Sequence, residues 1–315
     1  MVDYGLIIEQ LPPVIALSLI SHDGSTTRLS GGASAEIRAK YLPDLIAGRK
    51  IACTANSEQD AGSDSNAVRT RLEIDGDRAF ITGAKMWITN ASICDVIIVA
   101  CSMATNEKGK PATRRVLVDR SMAKVGVREI PLTGLRQGHL CELEFDRTEV
   151  PATHIIGSPG DAGKYMTLGW NGNRPLLGLM ATSIAQHAFE LAREHAGIRK
   201  QFGTQLARFQ MVQQDLSDIE TAIMSSRLMC LHALSCIDRG VRANGAAAMA
   251  KRFATANAVR AIDLAMQIHG AIGITAEMGL EQLWRDARVL QVPDGTMGIL
   301  ALIQGREITG QAAFR

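Results

Sequence analysis

No regular alternation of strand and helix runs through these 315 residues. That absence constrains the fold most, because a doubly wound nucleotide-binding sheet requires the alternation. The Gly-x-Gly-x-x-Gly fingerprint of such sheets is missing too. Instead the texture falls into three parts. Residues 1 to about 50 read as a short helical lead, with a helix at Ala35–Tyr41 and a further turn opening at Pro43. From about 51 to 158 the pattern is one of strands. Arg71–Ile74 and Arg78–Thr82 flank an Asp75-Gly76-Asp77 turn and predict a hairpin. Asp95–Cys101, Arg115–Asp119 and Cys141–Phe145 add short apolar or alternating strands. After breaks at Val150-Pro151 and Gly157–Gly160, helical periodicity runs almost to the end. Leu216, Ile219 and Ile223 mark one helix face, and Met249, Phe253 and Ala256 another. Both helices are apolar around more than one face, which suits a bundle that also forms a subunit interface. The expected class is α+β, with domains at 1–50, 51–158 and 159–315.

Lys and Arg number 34 against 32 Asp and Glu, a net charge of +2, so no global field favours nucleic acid or an anionic membrane. Met1 leads directly into Asp3 and Glu9 rather than a targeting pattern, and Val14–Ile20 is too short to span a bilayer. The six cysteines form no Cys-x-x-Cys pair and no zinc spacing, so the expectation is buried reduced thiols, no metal and a cytoplasmic setting.

Four segments carry the chemistry. They are Ser57-Glu58-Gln59-Asp60-Ala61-Gly62-Ser63-Asp64, then Lys85-Met86-Trp87-Ile88-Thr89-Asn90-Ala91, then Arg199-Lys200-Gln201-Phe202-Gly203 with Gln210 downstream. The fourth runs from Gln267 through Gly270-Ala271-Ile272-Gly273 and Trp284-Arg285-Asp286-Ala287-Arg288 to Pro293-Asp294-Gly295-Thr296. Small residues such as Ala61-Gly62-Ser63 let backbone amides approach a flat ring or a phosphate. A tryptophan beside a threonine offers an aromatic face and a hydroxyl donor. An arginine fork suits a pyrophosphate.

Together and in this order, the segments resemble the acyl-CoA dehydrogenase superfamily over about residues 30 to 315. The resemblance implies a middle β-barrel-like domain, a C-terminal four-helix-type bundle and bound FAD. It implies cofactor contacts at Ser57, Ser63, Trp87, Ile88, Thr89, Arg199, Phe202, Gln210, Gln267, Gly270, Ala271 and Thr296. Substrate contacts fall at Ser63, Asn171, Arg174 and Gly295, the middle two in a CoA-contacting segment. The aligned base is Asp294, abstracting the α-proton of an acyl thioester while flavin N5 takes the β-hydride. Asp is one methylene shorter than the commoner Glu, a shift of roughly 1.5 Å. The alternative position on the bundle, 171–175, holds no carboxylate. A purely structural reading makes Asp294 an N-cap for the helix that follows, and gives Arg285, Asp286 and Arg288 to an ion-pair network.

Three departures accompany the resemblance. Ala271 stands for a usual second glycine, and Gly298 for a residue often Gln or Glu. Only 56 residues precede Ser57, which reads as a remnant of the family's N-terminal helical domain. The leading expectation is an acyl-CoA dehydrogenase in fatty acid metabolism, a homotetramer passing electrons to an electron-transfer flavoprotein. The alternatives are a flavin oxidase or monooxygenase on the same fold, or a non-catalytic subunit of a heteromeric flavoprotein.

Overall fold

The run Val96–Ala100 is apolar at every position, and in the computed structural model it is a strand buried on both faces. The structure describes residues 1–65, 67–105, 111–157 and 162–313, so the break expected at Gly157–Gly160 lies, from residue 158, outside the described residues. Helices α1 (Val2–Ile8), α2 (Pro13–Gly32) and α3 (Ala35–Ile46) come first. Strands β1 (Ala52–Ala55), β2 (Arg71–Asp75), β3 (Arg78–Ile88), β4 (Val96–Thr105), β5 (Pro111–Asp119), β6 (Gly126–Glu129), β7 (Cys141–Pro151) and β8 (Ile155–Ile156) follow. Then come α4 (Ala162–Ile198), β9 (Lys200–Gln201), β10 (Thr204–Gln205), α5 (Gln210–Asp238), α6 (Asn244–His269), α7 (Leu280–Val289) and α8 (Met297–Thr309). Among the described residues, no helix is long and apolar enough to cross a membrane.

The chain divides into two units. One comprises Leu17–Leu132 and Arg136–Trp170. Its strands run in the order β6-β7-β3-β2-β4-β5-β8, with β1 added parallel to β4. The expected hairpin is β2–β3, with Asp75 paired to Arg78 and Gly76 at φ +61 as first residue of the two-residue turn. Alternation along β4 sends Ile97, Val99 and Cys101 into one core, with Cys53, Val116 and Val118. Val96 and Ile98 enter a second core against Leu29, Ile37, Tyr41 and Leu45 of α2 and α3. Ser34 caps α3 by accepting from the Ile37 amide at 3.3 Å. No new turn opens at Pro43, contrary to expectation: the helix runs through it to Ile46. The missing proline N–H removes one bond in a helix already anchored by its buried Ile37, Tyr41 and Leu45.

The second unit comprises Met1–Ala16, Thr133–Leu135 and Asn171–Arg315. Arg227 on α5 makes a two-pronged ion pair with Glu9 just after α1, and the Met1 ammonium pairs with Asp238. Gly178 on α4 is required by close approach, because an added Cβ there would lie 2.5 Å from the Cys230 sulfur. On α6, the helix the Met249, Phe253 and Ala256 spacing predicted, the buried stripe is Ala247, Ala250, Lys251, Ala254 and Ala258, while Met249 and Ala256 are half-buried and the Phe253 ring is exposed. Helix α4 ends at Ile198, and Phe202 and Gly203, at φ +49 and +80, form the turn of the β9–β10 hairpin. All six cysteines are buried free thiols.

Candidate active site

The residues expected at a cofactor or substrate fall in both units. In the sheet unit, Trp87 departs from the behaviour of an ordinary core tryptophan. The β3–β7 register slips between Lys85 and Ile88, and Trp87 sits in that irregularity with φ +64 and its side chain half exposed. A bulky residue in the left-handed region is strained. A bulge is the usual device for turning a side chain out of a sheet. Ile88 is buried, Thr89 half-buried, and Asn90 at φ +67 donates from Nδ2 to the Ser18 carbonyl at 2.8 Å.

The Ser57–Ser63 loop is tied to this strand from beneath. The Met86 amide donates to the Ser57 carbonyl at 2.9 Å. Lys85, wholly buried, donates from Nζ to Glu58 Oε1 at 2.8 Å and to the Asn56 carbonyl at 3.0 Å. Glu58 also accepts from the Thr70 hydroxyl, the Thr70 amide and the Arg69 amide. Burial alone would raise the affinity of Glu58 for a proton. The Lys85, Thr70 and amide hydrogen bonds together outweigh it and hold the carboxyl below its usual range. Burial likewise lowers Lys85, opposed by the Glu58 charge. Above this anchor Ser57 is half-buried and Ser63 exposed.

In the helical unit, Asp294 lies in the connection 290–296 between α7 and α8. It has φ +54 and is followed by Gly295 at φ +114. Asp is among the few non-glycine residues that enter this region readily, which gives a local reason for the shorter carboxylate here. Asp294 is not the helix cap. Thr296 is, its hydroxyl accepting from the Ile299 amide. Among the described residues no hydrogen bond reaches the Asp294 carboxylate, which is half-buried.

Two buried cations hold the backbone of this segment. Arg174 on α4 donates from Nε to the Asp294 carbonyl at 2.9 Å. Lys251 on α6, with no exposed surface, donates from Nζ to the Pro293 carbonyl and, at 2.7 Å, to the Gly295 carbonyl. Burial pushes the Lys251 ammonium down to about 8, with the Asp294 charge opposing and Arg174 reinforcing the shift. Arg174 is lowered by burial and supported by Asp294. Asn171 lies beside Arg174 on the same helix and donates from Nδ2 to Asn244 at the start of α6. Neither lysine nor Glu58 was expected at a site. Glu58 and Lys85 stand within the quoted segments without a role of their own, and Lys251 is a lysine in an alanine-rich helix.

The remaining expected contacts are spread over the helical unit. Arg199 and Phe202 are exposed at the β9–β10 hairpin, Phe202 at 95%. Gln210 opens α5, Gln267 lies in the last turn of α6, and Gly270 and Ala271 follow; all four are exposed. Arg285 pairs with Glu281 and donates to the Thr133 carbonyl, while Asp286 accepts from the Leu135 amide. Their partners include Glu281, Gln282 and backbone groups, a structural use.

Profiles described as the acyl-CoA dehydrogenase middle domain and C-terminal domain match residues 53–148 and 163–309. The chain belongs to the acyl-CoA dehydrogenase family. Among relatives of this family, cyclohex-1-ene-1-carbonyl-CoA dehydrogenase of Geobacter metallireducens is 34% identical, over 96% of this chain and 81% of the relative. The structure of butyryl-CoA dehydrogenase from Megasphaera elsdenii superimposes with a TM-score of 0.92 at 26% identity, covering 97% of this chain and 81% of that one. An FAD complex of PigA gives 0.91 at 26% identity, covering 98% and 82%.

Proposed function

We propose that this chain is an FAD-dependent acyl-CoA dehydrogenase in which Asp294 abstracts the α-proton of the thioester. The observation that carries this reading is the Asp294 segment itself. Its three successive carbonyls are held by Arg174 and Lys251, among the described residues no hydrogen bond reaches its carboxylate, and the helix cap is left to Thr296. A general base needs such fixed reach to the proton it takes.

The residues of the sheet unit fit a flavin: an outward aromatic face at Trp87, a neighbouring hydroxyl at Thr89, and a small-residue loop at Ala61-Gly62-Ser63. The FAD complex of PigA supports the same cofactor. Bound FAD supplies the acceptor for the hydrogen and electron pair leaving the β-carbon. Ser57, Ser63, Trp87, Ile88 and Thr89 then position the ring end, and Arg199, Phe202, Gln210, Gln267, Gly270, Ala271 and Thr296 the remainder. Asn171 and Arg174 orient the substrate segment, and the Gly295 region meets the thioester.

We further propose a cytoplasmic homotetramer in fatty acid metabolism that passes electrons to an electron-transfer flavoprotein. Exposed Phe202, Met211, Met224 and Leu228 on the helical unit support assembly. Anaerobic titration of the flavin-loaded protein with a panel of acyl-CoAs tests the activity. Bleaching of the flavin band by thioesters is expected. Oxygen turnover on a substrate without CoA would assign an oxidase instead, and a colourless protein that never takes up FAD would assign a non-catalytic subunit.

A further inference from the structure

Lys251 is a fully buried cation in a stripe of buried alanines. It has no exposed surface, and among the described residues no carboxylate lies within ion-pair distance. Its ammonium is spent on two backbone carbonyls, those of Pro293 and Gly295. An apolar side chain of similar volume would normally serve packing as well or better than a desolvated cation. The surrounding stripe of Ala247, Ala250, Ala254 and Ala258 shows that this face of α6 is otherwise built for apolar contact.

The two bonds bracket one residue. Lys251 holds the carbonyl before Asp294 and the one after it, while Arg174 holds the carbonyl of Asp294 itself. Three successive carbonyls fixed by cations leave the peptide planes on both sides of the Asp294 α-carbon unable to turn. At φ +54 that α-carbon is in a region that Asp tolerates but still visits only as a minority conformation, so the clamp selects it. The charged groups facing Lys251 are Asp294 on the loop and Arg174 on α4.

We propose that Lys251 is a positioning residue: by clamping the backbone on either side of Asp294, it fixes where the carboxylate reaches. This rests on the reading of Asp294 as the base.

The test compares wild type with Lys251→Met, which keeps length and loses every donor, and with Lys251→Gln, which keeps donors without charge. All are studied as FAD-loaded holoenzyme. In Lys251→Met the flavin reduction rate should fall about 100-fold while the acyl-CoA dissociation constant moves by less than about threefold, the signature of a misplaced group rather than lost binding. Hydrogen exchange in the peptide covering 291–297 should quicken by about tenfold or more, with α6 and the rest of α8 unchanged. Lys251→Gln should fall between, and it decides the matter by the same two readouts if the Met variant does not fold. Wild-type reduction rates, or unchanged exchange in that peptide, would overturn the proposal. So would a variant whose binding, flavin content and stability fall together, since that is a structural role. If no acyl-CoA reduces the wild type, the assignment of Asp294 fails, and the exchange of the 291–297 peptide still judges the clamp by itself.

Discussion

Two buried lysines each hold a segment for which a role in the site is proposed, and they differ in what they meet. Lys85 meets a carboxylate, Glu58, which is itself satisfied by Thr70 and two amides. Lys251 meets only carbonyls. In the first case the charges neutralise each other and the network anchors the Ser57–Ser63 loop to the strand bearing Trp87. In the second the cation has no ion-pair partner among the described residues, and burial moves it to about 8 against the opposing Asp294 charge. Lys85 thus ties two segments together through a charge pair, whereas Lys251 grips the carbonyls on either side of one residue, the arrangement on which the proposed positioning role rests.

The largest effect expected is at the residue being aimed. Asp294→Asn should keep FAD and acyl-CoA binding yet slow flavin reduction by roughly 100- to 10,000-fold, as loss of a general base does. Anaerobic stopped-flow spectroscopy measures it. On the anchor side, Glu58→Gln removes a charge from a buried pair and strands Lys85. Such a break costs about 3–5 kcal/mol, readable by denaturant unfolding of the FAD-loaded protein. A loss below about 1 kcal/mol would place that pair with exposed ones and erase the contrast.

The comparison sharpens with pH. In the folded state Lys251 holds its proton only to about pH 8, against the usual lysine value of 10.5, so the native state sheds the proton before the unfolded chain does. Stability contributed at this site therefore rises between those two values, by as much as roughly 3 kcal/mol. Unfolding free energies at pH 7.5 and 10 should show that rise in wild type, and Lys251→Met should lack it. The smallest effect is at backbone level. Asp294→Glu places a less tolerant residue at φ +54 and should lower stability by about 1 kcal/mol, seen as a small shift in thermal midpoint.

Much of this architecture was legible in the residues. The Asp75-Gly76-Asp77 turn and the apolar run within Asp95–Cys101 announced a hairpin and a strand, because turn chemistry and short apolar runs are local signals. The motif segments pointed to the family. What escaped were features set by tertiary contact. Pro43 reads as a helix breaker until Ile37, Tyr41 and Leu45 are seen buried in a core. The hairpin of Lys200–Gln205 has strands of only two residues, too short for any periodicity to register. Lys85 and Lys251 look like solvated lysines, since nothing in their neighbours specifies that a carboxylate or a row of carbonyls will close over them.

The central claim, that Asp294 takes the α-proton, is tested most directly by separating proton transfer from oxidation. An arylacetyl-CoA has α-hydrogens but none on a β-carbon to surrender, so any exchange it undergoes reports the base alone. Incubated in D2O with the FAD-loaded wild type, it should gain deuterium at the α-carbon, followed by mass spectrometry. With Asp294→Asn the exchange should slow by at least about 100-fold. Equal exchange rates in the two proteins would contradict the assignment and place the base elsewhere.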